Sequence, residues 1–361
     1  MRTLDRYLAT LFARHLAIIL AVLISLYGLI EFVEKIDDFI ENQASLLHYL
    51  RYPLYNLPFM LEQSLAMSVL LATFITIGQL SRSSQITALR SCGIGLWQAT
   101  RPLFVCGGLL CLLALVCSSW LSPWSARESH YILATELKGK ELSGRQGQNL
   151  YFRDHRRIIG VSQSFPNRGE IHGLSLLEFD EEFQLTRRVE AATAHHLEGT
   201  RWLLRDVVER SFNPKTQALA GFLKYRELSL DLGREPEEMV DLWYKPQEMS
   251  LAELWRLDQQ LQAQGGDPLP YRAEWLQRLA RTFTPLLMVL IGIPFALNRG
   301  RKASVGLGVG VSLAVFSGYF ACQAVSMALG TAGLLPLPLA AWTANTLLLL
   351  VGTWLFLTLD N

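Results

Sequence analysis

Residues 303–359 read ASVGLGVGVSLAVFSGYFACQAVSMALGTAGLLPLPLAAWTANTLLLLVGTWLFLTL, and none of them is charged. A helix needs about 20 apolar residues to cross the hydrocarbon core of a bilayer, so this stretch has room for two crossings. Gly330, Gly333, Pro336 and Pro338 interrupt it near the middle, where Gly and Pro mark a tight connection. It predicts a helical hairpin in a membrane, with spans over Gly306 to Leu329 and Leu339 to Leu359.

Outward from the hairpin, four more apolar stretches follow the same logic: Leu16 to Phe32, Leu61 to Leu80, Leu103 to Trp120, and Phe283 to Leu297. Between Pro123 and Arg281 the composition turns to Arg, Glu and Asp with alternating apolar positions. The 361 residues therefore predict an α-helical membrane protein with six transmembrane helices and one inserted soluble domain. The expected divisions are helices one to three over 1–122, the inserted domain over 123–270, and helices four to six over 271–361.

The net charge of +1 points to no nucleic-acid partner, and the placement of the basic residues says more. Arg2, Arg6 and Arg14 precede the first span, Arg82, Arg90 and Arg101 separate the second from the third, and Arg299, Arg301 and Lys302 separate the fourth from the fifth. Basic residues beside span ends stay cytosolic, which puts both termini in the cytosol and the inserted domain on the far side. The N-terminus imitates a secretion signal. Glu31-Phe32-Val33-Glu34-Lys35 stands where a small-residue cleavage site belongs, which predicts an uncleaved first helix. The five cysteines, Cys92, Cys106, Cys111, Cys117 and Cys322, all fall outside the inserted domain and imply no disulfide framework.

Within that domain, short apolar runs such as Ile158-Ile159-Gly160-Val161 and Leu174 to Phe179 alternate with turn clusters such as Pro166-Asn167-Arg168-Gly169. Regular short strands of this kind predict an all-β, jelly-roll-like domain. Ser250 with Glu253 three residues on has the spacing of a capping box and predicts a helix carrying Leu251, Leu254, Trp255 and Leu257, which stops at Gly265-Gly266.

Catalytic motifs are missing. No G-x-x-x-x-G-K-[ST] loop is present, so the chain carries no standard nucleotide-hydrolysing site, and neither H-E-x-x-H nor G-x-S-x-G occurs. The glycines Gly306, Gly308 and Gly310 open a membrane helix, and Gly306 with Gly310 suits close helix packing better than dinucleotide binding. His195-His196 lacks further ligands at metal spacing. No catalytic residue, bound cofactor or metal site is expected.

Three polar groupings suit transport. Ser81 to Gly93, read as a helix, sets Ile86, Leu89 and Gly93 on neighbouring turns, flanked by Arg82 and Arg90 and ending at a capping glycine. It is either a docking element for a partner or a plain polar loop. At the end of the first span, Glu31 and Lys35 have the i, i+4 spacing of an ion pair, while a cation at that depth also suits an anionic lipid head group. Ahead of the fourth span, Arg272, Glu274, Arg278 and Arg281 repeat along one helix side, which fits either interfacial anchoring or phosphate recognition by arginine forks.

The opening Leu4-Asp5-Arg6-Tyr7 leading to Glu31 through Phe39, the segment Ile86 to Ile94, and Leu334-Leu335-Pro336 to Trp342 with Asn345 resemble the permease subunits of the lipopolysaccharide export system, the LptF/LptG family, with more of LptG in the first. The resemblance spans nearly the whole chain. It implies an inner-membrane permease of a Gram-negative bacterium, with its soluble domain in the periplasm. Such a permease pairs with its homologue LptF and binds two copies of the ATPase LptB, which uses the ATP. It hands lipopolysaccharide to the bitopic periplasmic protein LptC. It further implies that residues 81–93 form a coupling helix in which Arg82, Gln85, Ile86, Leu89 and Arg90 meet the ATPase. Lys35, Arg278 and Arg281 become candidates for the lipid's phosphates. Gln85 stands where the family usually carries a glutamate, and Thr343-Ala344 precedes Asn345 where the family commonly has a proline. Two other readings of the layout are a permease for another envelope lipid or lipoprotein, and a membrane-anchored periplasmic scaffold.

Overall fold

The computed structural model describes residues 2–41, 46–131, 150–154, 156–165, 169–213, 216, 218–233, 246–263, 266–298 and 305–360. Arg299, Arg301, Lys302, Gly265 and the turn residues Pro166 to Arg168 lie outside them. The chain divides into two compact units, one from Met1–Arg127, Ser250–Ala252 and Arg272–Asn361, the other from Glu128–Met249 and Glu253–Tyr271.

The helices run in the order α1 (Arg2–Glu41), α2 (Leu46–Arg82), α3 (Gln85–Ser91), α4 (Leu96–Val116) and, after a π-helical turn at Cys117–Leu121, α5 (Ser122–Tyr131). After the strands come α6 (Leu251–Ala263), α7 (Leu269–Thr282), α8 (Thr284–Asn298), α9 (Val305–Thr331) and α10 (Leu337–Asp360). Five segments are long and apolar enough to cross a membrane: Thr3–Ile36, Arg51–Arg82, Leu96–Ser129, Gly308–Thr331 and Leu337–Thr358. The sixth is the pair α7 and α8, bent by 42° at the intervening residue. The helices outrun the apolar stretches of the sequence because hydropathy marks the part that lipid can cover, while a helix continues until a breaker or cap stops it.

In the helical unit α8 is the central post. It packs against α2, α4 and α10, and Met288, Val289 and Ile293 are wholly buried. An all-apolar helix has no polar face to turn outward, and burial on several sides is its stable place. Since lipid is as apolar as leucine, such packing is held by close van der Waals fit, which small residues favour. Gly308 is the sharpest case: a Cβ there would lie 2.0 Å from the Phe74 ring of α2. Gly306 and Gly310 are exposed and approach nothing within 4 Å, so the close contact belongs to the glycine between them. A Cβ at Gly292 of α8 would likewise meet Thr73 at 2.9 Å.

The second unit holds β1 (Leu150–Asp154), β2 (Arg157–Phe165), β3 (Glu170–Phe179), β4 (Leu185–Glu198), β5 (Arg201–Phe212) and β6 (Leu219–Asp231). They form one antiparallel sheet in sequence order, the all-β part that the alternating runs predict. Each described strand pairs with its neighbours in the chain, so the connectivity is a meander and carries no Greek-key crossover among the described residues. One face is the core: Ile159 and Val161 of β2, Leu174 and Leu176 of β3, Val189 and Ala191 of β4, and Trp202, Leu204 and Val207 of β5 are buried. Burial of a large side chain of this kind stabilises by about 1.5–3 kcal/mol.

The alternation changes phase along one line across the sheet. Ile171 and Leu174 of β3, Ala191 and Ala194 of β4, and Leu204 and Val207 of β5 are buried although each pair is three residues apart. Between them stand Gly173 (φ 66) and Asp206 (φ 51), both left-handed, with Ala192 on the strand between. A left-handed residue re-aims the next side chain, so the strands turn here while the same face stays buried.

Charges close one end of that face. Arg157 pairs with Glu178 at 3.1 Å, Glu178 with Arg187 at 3.5 Å, and Arg187 with Glu209 at 2.7 Å, a ladder across β2 to β5 in register with the buried positions. Glu190 bonds to both Arg188 and Arg210. Partial burial pushes its carboxyl up, but the hydrogen bonds and charges of Arg210 and Arg188 outweigh this and hold it below the usual carboxylate range.

Candidate functional site

The link between α2 and α4 is a formed helix. Ser84 takes a left-handed φ of 56, which ends α2, and α3 follows at once. At the far end Gly93 (φ 80) reverses the chain, the Gly93 N–H reaching the Arg90 carbonyl at 3.0 Å and the Ile94 N–H the Leu89 carbonyl at 3.1 Å. This is the glycine C-cap that the sequence predicts. Arg82, Gln85 and Arg90 are exposed and Leu89 is half-buried. Ile86 packs against the buried core of the helical unit, so its contact is within the chain and it anchors α3.

At the end of α1, the carboxylate of Glu31 faces α2. Its Oε1 accepts the Tyr52 hydroxyl at 2.8 Å and the Asn56 amide, while Oε2 is buried without a partner. The Glu31–Lys35 ion pair expected from their spacing is not formed, because donors from α2 take the carboxylate into the seam between the helices. Lys35 is half-buried and makes no ion pair among the described residues. The side chains of Asp37 and Asp38 lie outside the described residues.

On α7 the basic cluster separates into two kinds of arginine. Arg278 is 5% exposed, bonds Glu274 at 2.7 Å and reaches the Ser118 carbonyl at 3.5 Å. Its guanidinium is thus engaged inside the helical unit. Arg281 shares Glu274 at 3.5 Å with its side chain 31% exposed, and its Nε is buried without a partner. The Glu274–Arg278 pair, four residues apart on one helix side, is therefore an internal scaffold that presents Arg281.

The bend after α7 has an identifiable cause. Pro285 has no N–H for the Arg281 carbonyl, and its ring crowds that carbonyl. A polar clasp holds the bend. Thr284 Oγ1 lies 2.9 Å from the Tyr319 hydroxyl, which donates to Asn345 Oδ1 at 3.0 Å, and the Asn345 amide donates to the Ala280 carbonyl at 2.6 Å. Three segments, α8, α9 and α10, are tied to the last turn of α7 by side chains that are all buried. Sequence reasoning singled out only Asn345 of this group. The available signal was the presence of Tyr319, Gln323 and Asn345 inside a charge-free span, since polar residues at membrane depth face a partner. Consecutive histidines on β4 diverge as strand neighbours must: His195 turns to Glu170 at 3.4 Å, and His196 meets the Trp202 ring at 5.3 Å.

Five long apolar helices, a bent sixth, a short helix exposed between two of them and an inserted antiparallel sheet define a multi-pass membrane protein with one inserted β-unit. Residues 6–358 match the family of lipopolysaccharide export system permeases LptF/LptG, and the chain belongs to that family. It is 23% identical to the lipopolysaccharide export system permease protein LptG of Escherichia coli (strain K12), over 88% of this chain and 86% of the relative. Identity to LptF of the same organism is also 23%, over 81% of this chain and 77% of the relative. LptG of Haemophilus influenzae is 19% identical over 87% of each chain. The likeness to LptG thus covers more of the chain than the likeness to LptF, and the family makes this a multi-pass inner-membrane permease.

Proposed function

We propose that this chain is the permease subunit of an ABC transporter that extracts lipopolysaccharide from the inner membrane and passes it to a periplasmic bridge. The observation that carries the reading is α3. A seven-residue helix with Gln85 and Arg90 exposed, preceded by the exposed Arg82 at the end of α2, sits between two spans of a chain that has no nucleotide loop, so the power stroke must arrive from outside through a surface of this kind. Pairing with the homologous LptF, two copies of the ATPase LptB below, and LptC as the periplasmic receiver complete the assembly. The termini and α3 lie in the cytosol and the β-unit in the periplasm.

The chain works by mechanical coupling. Closure of the ATPase pair pushes α3, which Ile86 keeps joined to the helical core, and the lipid cavity between the permeases shifts toward its low-affinity state. ATP drives this only through differential affinity of the two states for the lipid. Lys35 and Arg281 offer charge to the lipid's phosphates, and Arg278 holds Glu274, which in turn positions Arg281. Purification of the full chain, followed by mass spectrometry of what accompanies it, tests this. A co-purifying ATPase with lipopolysaccharide is the expected result. A different bound lipid or a lipoprotein would move the reading to another envelope cargo, and a lone chain would favour the scaffold.

A further inference from the structure

Glu62 of α2, Ser118 of the π-helical turn and Arg281 of α7 line one cleft of the helical unit, with Tyr319, Phe316 and Phe320 of α9 beside them. Two of its donors are unmet. Arg281 Nε is buried without a hydrogen-bond partner, and so is the hydroxyl of Ser118, a residue only 3% exposed. A buried donor left unpaired is costly, so both call for an acceptor in the cleft.

The same cleft also carries the opposite sign. Glu62 accepts the Ser122 hydroxyl on Oε2, and its carboxylate forms no ion pair with Arg278 or Arg281, whose ion pairs go to Glu274. Arg278 lines the cleft too, but it is buried against Glu274, which leaves Glu62 and Arg281 as unlike charges that do not meet and so select a ligand that bridges them. A plain anion would be drawn to Arg281 and repelled by Glu62, and a plain cation the reverse. A group with a phosphodiester and an ammonium a few bonds apart satisfies both charges. The depth suits a lipid head, because Glu62, Ser118 and Arg281 stand at the ends of the apolar stretches Leu61–Leu80, Leu103–Trp120 and Phe283–Leu297. Phe320, 57% exposed, offers apolar surface for acyl chain.

We propose that this cleft binds a zwitterionic phosphoethanolamine head group, with Arg281 and Ser118 taking the phosphate and Glu62 the ammonium. The cleft is formed by this chain alone, and the lipid it holds need not be the one exported. The test uses the full chain in mixed micelles with equal phosphatidylethanolamine and phosphatidylglycerol, and native mass spectrometry to read the lipids retained. Wild type should hold phosphatidylethanolamine about tenfold over phosphatidylglycerol. Glu62→Gln should bring that ratio close to one with total lipid unchanged. Arg281→Gln should lose both lipids, with Arg281→Lys restoring part. Ser118→Ala, a small change with little bearing on folding, should weaken both. A further arm offers lipid A with and without phosphoethanolamine, and preference for the modified form there, without preference between the phospholipids, would place the same head group on the exported lipid instead. A wild-type ratio near one in both arms, or a ratio that Glu62→Gln leaves intact in a protein of unchanged melting temperature, would overturn the proposal.

Discussion

Glu31 and Lys35 are four residues apart on one helix, yet the carboxylate turns to Tyr52 and Asn56 and the ammonium makes no ion pair among the described residues. The two residues therefore separate by experiment. Lys35→Glu should leave thermal stability nearly unchanged while photocrosslinking to lipopolysaccharide falls at least about tenfold, the effect of losing one charge-assisted contact of about 1.5–3 kcal/mol. Glu31→Ala should instead destabilise by about 1–3 kcal/mol, since it leaves buried donors of α2 without their acceptor. Restoration of stability by swapping the two residues would show that they are a pair after all. In the β-unit, Glu190 has its carboxyl held below the ordinary 4.5 by Arg210 and Arg188 against the upward push of burial. Its stabilisation is complete above the unfolded carboxylate range and is lost as pH falls through the lowered value. Acid melting of the full protein should therefore be shallower in Glu190→Gln below about pH 4.5, and identical acid profiles would remove the pairing from the account. The types of these residues were legible in the sequence. Their partners were not, because an i, i+4 spacing names a neighbour on the same helix and says nothing of a donor arriving from the next one.

Among the elements, α3 and the terminal hairpin were readable because their signals are local: a capping glycine at Gly93, and a charge-free run broken by Gly330 to Pro338. The phase change of the sheet was not. It rests on left-handed backbone at Gly173 and Asp206, and a strand read by strict alternation cannot show where its own period slips. Gly308 teaches the same lesson in a helix, where the pattern Gly306-x-x-x-Gly310 pointed one residue pair away from the glycine that Phe74 touches. For α3 the structure divides labour between its faces. Arg90→Glu reverses charge on an exposed position and should cut co-purifying ATPase several-fold with no change in melting. Ile86→Asp puts an unpaired charge against the core and should lower stability by about 2–4 kcal/mol, whether or not ATPase is present. Full ATPase recovery with Arg90→Glu would return α3 to the role of a plain connection.

For the whole molecule, the five apolar helices, the bent pair α7 and α8 and the inserted sheet were legible from composition, since hydropathy over a span averages many residues and tolerates local error. A kink at Pro285 was legible too, since proline breaks a helix wherever it stands, but the clasp of Thr284, Tyr319, Asn345 and the Ala280 carbonyl was not, because it joins residues from four helices. The central claim is that ATP hydrolysed by a partner moves lipopolysaccharide through this chain. The most direct measurement is transfer from vesicles that contain the full chain with its homologous permease and the ATPase, loaded with photocrosslinkable lipopolysaccharide and mixed with the periplasmic acceptor. The account predicts lipid on the acceptor that grows with ATP and falls about tenfold with Lys35→Glu. Equal transfer with and without ATP, or undiminished transfer from vesicles that lack this chain, would contradict it.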